Sequence, residues 1–339
     1  MYKKKFLIII LPIVIALSVI ISMNFIIDPF HIIHKTKFNK GFSEQQRLQN
    51  AGIIKHFLVG KGYNSIVVGT SLTECFYSPY IDERIDGWKT LKLSMSGSSG
   101  NEQVKTIEYV LEKEDIKNVI LEARHFVITD FKSRLKEYLY DDNIFNDINY
   151  LTSHKVLKFY LVKERVEKIE DRNNWCPPNQ HLFKNYNSEV NLDKLAKKLD
   201  KKRKDFNYKE KHINKDVYNK YVELFNKYPD VNFHVVSPPK SLFSLVKQST
   251  ELDYLKDIAL FFSRFNNVKF YGFDNVYKIT ADLANYKDDH HYKAWVNEYM
   301  IDSIANNEHE LDKNNIDEYI KDVVEKVKTY KVCSSGKCY

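Results

Sequence analysis

Cysteine is scarce, with four in 339 residues, at positions 75, 176, 333 and 338. That is too few for a disulfide-built scaffold, so stability must come from a buried core, which a chain of this length can supply. No histidine cluster accompanies Cys333 and Cys338, so zinc is disfavoured and the pair is read as closing a small terminal loop. Cys75 and Cys176 have no obvious partner. There is no internal repeat and no low-complexity segment, which excludes a solenoid. A composition of 29 % charged and 43 % hydrophobic residues excludes a disordered chain. A Lys-Ser/Thr pair at nucleotide-loop spacing is also missing, which argues against nucleotide chemistry.

Charge is absent from Phe6–Ile27, a run of 22 residues behind the basic Met1-Tyr-Lys-Lys-Lys5. A helix of that length spans a hydrocarbon core of roughly 30 Å, and membrane helices tolerate a proline such as Pro12. The cationic flank should remain cytoplasmic, which predicts a single-pass cell-membrane anchor with the remaining domain extracytoplasmic. A cleaved signal peptide is the rival reading, but the apolar run exceeds the usual length of about 7–15 residues and no small-x-small site follows it.

The net charge of +7 is concentrated. Residues 151–215 hold 17 Lys plus Arg against 9 Asp plus Glu, leaving 35 against 36 elsewhere. On an outward-facing protein this excess suits anionic lipid headgroups or an anionic surface polymer; a solvated helical face with no partner fits equally. Nucleic acid is disfavoured by the compartment.

Short apolar runs alternate with helical periodicity. Ser65–Val68, Leu91–Ser94, Asn118–Glu122, Val231–Val236 and Val268–Tyr271 read as strands. Helices are expected over 101–113, 216–228, 251–265 and 312–330. The pattern predicts an α/β fold with a doubly wound, five-stranded parallel sheet. The expected organisation is a basic flank (1–5), anchor (6–27), linker and helix (28–62), two domain halves (63–130 and 216–306) around a helical basic insertion (131–215), and a C-terminal helix and tail (307–339).

The stretch Ser65-Ile-Val-Val-Gly-Thr-Ser71 runs a strand into a tight turn, presenting Ser71 beside backbone N–H groups at a helix start. That is a site for an acyl-transfer nucleophile; taken alone, Ser71 also reads as a helix cap. Asp288 and His291, three residues apart, can supply a general base and the carboxylate that orients it. Asp289 with His290 is the shifted alternative, and His290 with His291 the metal alternative, disfavoured because adjacent side chains on a helix diverge. Gly97 and Gly100 are turn formers or, in another reading, a phosphate loop. Glu74 either shapes a pocket or faces solvent, and Cys75 reads as a small packed side chain. Trp175 marks a structured loop with a possible glycan-stacking role.

The Gly69-Thr-Ser71 turn, the Gly97 turn after a second strand, and Asp288-x-x-His291-Tyr292 together resemble the GDSL/SGNH hydrolase superfamily. The nearest branch is similar to the membrane-anchored D-alanyl transfer protein of lipoteichoic acid synthesis and the alginate O-acetylation proteins. The resemblance covers roughly residues 60–305 outside the insertion. It implies Ser71 as nucleophile, His291 as general base and Asp288 as its partner, with the Ser71 and Gly97 N–H groups as oxyanion donors and no cofactor or metal. It departs at the third block, where Gly-x-Asn-Asp is replaced by Leu121-Glu-Ala-Arg-His125. Losing one oxyanion donor costs about 2.7–4 kcal/mol, so either Asn101, Arg124 or His125 substitutes, or activity is weak, or the arrangement differs. Glu74 and Tyr292 complete the candidate pocket. The resulting expectation is an envelope serine esterase or O-acyltransferase; a non-catalytic scaffold for a polymer or an integral-membrane acyltransferase is the alternative, and a cytoplasmic phosphate-binding protein the third.

Overall fold

In this computed structural model the described residues are 2–36, 45–124, 133–161, 191–213, 215–248, 250–288 and 290–339. The expectations placed on His125, Asp289, Trp175 and Cys176 lie outside them. The chain divides into two units, which take the described residues of Met1–Gly62, Glu112–Glu114 and Arg134–Arg172, and of Tyr63–Leu111, Asp115–Ser133 and Asn173–Tyr339, respectively.

In the first unit Tyr2–Ile27 is one continuous helix containing Pro12. Its window Ile10–Ile27 has mean hydropathy 2.6 and leaves Leu11, Ile13, Ile15 and Phe25 exposed. It is long and apolar enough to cross a membrane, a test that a signal sequence also passes. The helix stops at Asp28, whose backbone turns to φ +33°. The buried Asp28 carboxylate accepts from Ile32 N (2.9 Å), Ile33 N (2.8 Å), His34 N (2.9 Å) and the Tyr150 hydroxyl (2.8 Å). Residues 28–34, expected to begin a linker, are therefore a fastened turn, because one carboxylate satisfies three backbone donors that would otherwise be stranded. The Asn24 amide donates to Leu151 O (2.7 Å) and Ser153 O (3.0 Å), which ties the short helices Ile148–Leu151 and His154–Leu161 to the apolar one.

The second unit is built on strands β1 (Ser65–Val68), β2 (Thr90–Lys92), β3 (Asn118–Glu122), β4 (Asn232–Ser237) and β5 (Val268–Gly272). All pair in parallel in the order β2-β1-β3-β4-β5, with helices on both faces. Double coverage explains why β1 is wholly buried and reads as an unbroken apolar run. β2 is one residue earlier at its start and two shorter at its end than the expected Leu91–Ser94. The backbone bonding nevertheless carries on beyond it, with Leu93 N donating to Val67 O and Met95 N to Gly69 O. Lys92 is buried and donates Nζ to Glu74 O. The strand order reverses between β1 and β3, and the crevice beyond their carboxyl ends is where open α/β sheets place ligands. Both Ser71 and Glu122 belong to that end of the sheet.

His234 on β4 packs its ring edge-on to Trp88 (5.4 Å) and against Tyr271 (6.2 Å). Burial, with a smaller contribution from Lys269, pushes its pKa down from 6.5 to about 4. Between those values the unfolded chain binds a proton that the folded one refuses, so stability falls as the pH drops through that window. Wild-type stability should decline from pH 6.5 to 4, lowering the thermal midpoint, and His234→Phe should remove up to about 3 kcal/mol of that decline. Thermal melts of both proteins across the window check this; parallel curves would refute it.

Candidate active site

The turn after β1 is shaped by what surrounds Gly69. A Cβ there would lie 2.5 Å from Thr73 Oγ1, 2.7 Å from Thr73 Cγ2 and 2.9 Å from Glu122 Cβ, so only glycine lets β1 turn this closely over β3. Thr70 is then clamped: Glu122 accepts from its N–H (2.7 Å) and from its hydroxyl (2.9 and 2.7 Å). Thr70 also caps the 3₁₀ turn Ser71–Thr73 by accepting from Leu72 N. The capping role open to Ser71 is thus filled by its neighbour, and the Ser71 hydroxyl is available for another partner.

That partner is His291, whose Nε2 lies 2.9 Å from Ser71 Oγ. On the other side of the ring, Nδ1 donates to Asp288 Oδ2 at 2.7 Å. The second Asp288 oxygen accepts the backbone N–H groups of His290 (3.0 Å) and His291 (2.7 Å). Burial works to raise the Asp288 pKa, but these donors and the adjacent imidazole outweigh it and hold the carboxyl well below the usual range. An ionised Asp288 fixes the Nδ1–H tautomer and leaves the Nε2 lone pair facing the hydroxyl, the arrangement required of a base that activates serine.

Two local devices carry His291 to Ser71. The segment from Asn285 to Lys293 folds back on itself through the Tyr286–Tyr292 bridge, with Lys287 N donating to His291 O and Lys293 N to Asn285 O. The buried Tyr292 hydroxyl then donates to Leu72 O at 2.7 Å, fastening the hairpin to the serine turn. Tyr292 is therefore a tether and not the wall of a pocket. Its role was hidden in the sequence because the bond spans 220 residues.

The remaining candidates separate. Gly97 has φ +57°, which disfavours a side chain. Its turn is bound to the serine strand, since Met95 N (2.8 Å) and Ser98 Oγ (3.0 Å) both donate to Gly69 O. Glu74 is buried and accepts from the Ser96 hydroxyl, so it shapes this turn and does not face solvent. Among the described residues no acceptor bonds the Ser71 N–H. Arg124 donates to Pro238 O and, at 2.6 Å, to Asp274 in a buried ion pair, while Asn101 Oδ1 accepts from Lys220 at the surface. These contacts give both side chains a structural task in place of the expected oxyanion contact. Glu122, in the block where the Asn donor is missing, serves Thr70 instead; sequence reasoning missed it because a buried carboxylate is recognised only by its partners.

Two corrections concern metal and thiol chemistry. His290 and His291 lie in a hairpin and not on a helix, and their rings approach to 4.2 Å. Ligand atoms of Asp288, His290 and His291 fall within 4.8 Å of one another, so proximity alone would allow a cation. Both His291 nitrogens, however, are engaged by Ser71 and Asp288. Cys333 and Cys338 form the expected terminal disulfide. Cys75, read as a packed thiol, is disulfide-bonded as well.

Gly69→Ala should destabilise the protein by about 1–3 kcal/mol through overpacking. Thr73→Ala removes both of the nearest atoms, so the double variant should lose less than the sum of the two single losses. Urea unfolding of the four proteins measures the coupling, and strict additivity would contradict the packing argument.

No protein-family profile matches the chain, and no curated protein matches it. A solved structure, described provisionally as a platelet activating factor from Streptococcus pneumonia, is similar over 90 % of this chain and 99 % of its own. The TM-score is 0.38 and the sequence identity 9 %. At that distance the likeness carries no argument about activity, which rests on the Ser71, His291 and Asp288 geometry.

Proposed function

We propose that the protein is a membrane-anchored, extracytoplasmic serine esterase or O-acyltransferase of SGNH type, acting on an ester carried by a cell-envelope polymer or glycan. The observation that carries this reading is the continuous relay from Ser71 Oγ to His291 Nε2 (2.9 Å) and from His291 Nδ1 to Asp288 Oδ2 (2.7 Å). Ser71 Oγ attacks the ester carbonyl while its proton passes to His291 Nε2. The oxyanion develops beside the Ser71 and Gly97 N–H groups, with no side-chain amide from residues 121–125 to assist them. Collapse breaks the ester C–O bond, His291 returns the proton to the leaving alkoxide, and the acyl group remains on Ser71. Water or a polymer hydroxyl, deprotonated by His291, then takes the acyl group and restores the serine.

The missing third donor supports a second reading, a catalytically silent scaffold for an envelope polymer or a membrane acyltransferase. The relay favours the enzyme, because a scaffold has no need of an oriented imidazole on a serine.

Fluorophosphonate labelling distinguishes the two. Wild type should label at one serine, and Ser71→Ala should abolish it. His291→Ala and Asp288→Asn should slow it by on the order of 10³–10⁴ while leaving the thermal midpoint in place. Chelator should have no effect, since His291 acts as a base and not as a ligand. Labelling that survives in Ser71→Ala would remove that residue from the role. For the anchor, a protein of the full 40.2 kDa should remain in carbonate-washed membranes; a shorter, released product would instead indicate a cleaved signal sequence.

A further inference from the structure

The first unit contains a cavity of about 690 Å³ that takes no part in the chemistry described above. Arg47, Arg134, Lys136, His154, Lys155 and Lys158 contribute to its lining. Phe30, Tyr150 and Val156, all buried, supply an apolar floor. None of the described residues lining it is acidic. Its size is that of a small-molecule site, and a cationic rim over an apolar floor matches a phosphate joined to carbon better than a bare ion.

Its place in the unit narrows the ligand. Phe30 lies three residues beyond the apolar helix that ends at Ile27. Ser153, also in the lining, is bonded through its carbonyl to Asn24 in the last turn of that helix. The Tyr150 hydroxyl meets Asp28 at the turn where the helix stops. The cavity is thus fastened to the end of the apolar helix, at the level where a bilayer changes from hydrocarbon to headgroups.

We propose that this cavity binds the phosphodiester headgroup of an anionic glycerophospholipid, with the cationic rim on the phosphate and Phe30, Tyr150 and Val156 against the glycerol carbons. The inference rests on the membrane-anchored reading given above but not on the esterase activity. It also relocates the basic excess: the residues that matter are Lys136, Lys155 and Lys158 around one cavity, not the lysine-rich helix Leu192–Arg203.

Calorimetric titration of the full chain in neutral detergent micelles tests this with water-soluble dihexanoyl phosphatidylglycerol, dihexanoyl phosphatidylcholine and inorganic phosphate. Saturable one-to-one binding of the phosphatidylglycerol alone is expected. Lys136→Gln/Lys155→Gln/Lys158→Gln should weaken it about tenfold or more. Lys197→Gln/Lys198→Gln/Lys201→Gln, which removes the same charge from the other helix, should leave it unchanged, as should Ser71→Ala. The proposal is overturned by absent binding, by equal weakening in both triple variants, which would mean diffuse attraction, or by equal affinity for inorganic phosphate, which would mean a free-phosphate site. Because Ser71→Ala retains the binding site, loss of labelling and loss of lipid binding fail separately.

Discussion

A serine and a histidine 220 residues apart must meet within 2.9 Å, and the hydrogen bond from Tyr292 to Leu72 O is the constraint that makes this routine. Asn285 and Tyr286 fasten the start of the hairpin to Lys278 O, Ile279 O and Pro239 O, but the Tyr292 bond is the one that ties it to the serine turn. Without it the imidazole would sample positions that a serine cannot use. On the opposite side, Glu122 grips Thr70 and fixes the turn to β3. The serine is therefore held between two buried polar tethers, one from each neighbouring segment. Both are fully paired, which in a low-dielectric interior is what makes a polar group rigidify a fold instead of weakening it.

Much of the sheet was legible because parallel strands covered on both faces leave short apolar runs between turn residues. Ser65–Val68 and Asn118–Glu122 coincide with the observed strands. Asp288 and His291 were legible as a pair for a local reason, since three residues of chain suffice to bring them together. Their meeting with Ser71 followed from the topology, because Ser71 and the hairpin both belong to the carboxyl end of the sheet. Tertiary partners were less visible. Glu122 stands within the block that lacks the expected asparagine, Tyr292 reads as part of a pocket, and Lys92 falls inside an expected strand. Each is defined by a bond to a distant backbone or side chain, which periodicity and local spacing do not encode.

The basic excess shows the same limit in another form. Counting charge along the chain placed it over residues 151–215. Folding draws Arg47, Arg134 and Lys136 toward Lys155 and Lys158, while the lysines of Leu192–Arg203 belong to a different unit. Linear charge density thus found a cationic character but not the concave surface that these side chains line.

The turn at Asp28 has a mechanical meaning. Four donors converge on one buried carboxylate immediately after the apolar helix, so the junction has no swivel. If that helix lies in a bilayer, thinning or thickening of the membrane changes its tilt. A floppy junction would absorb the change. A turn fastened by four donors would instead carry the cavity along with the helix, and in a bilayer the membrane's thickness would then set the angle at which the cationic lining meets the headgroup plane.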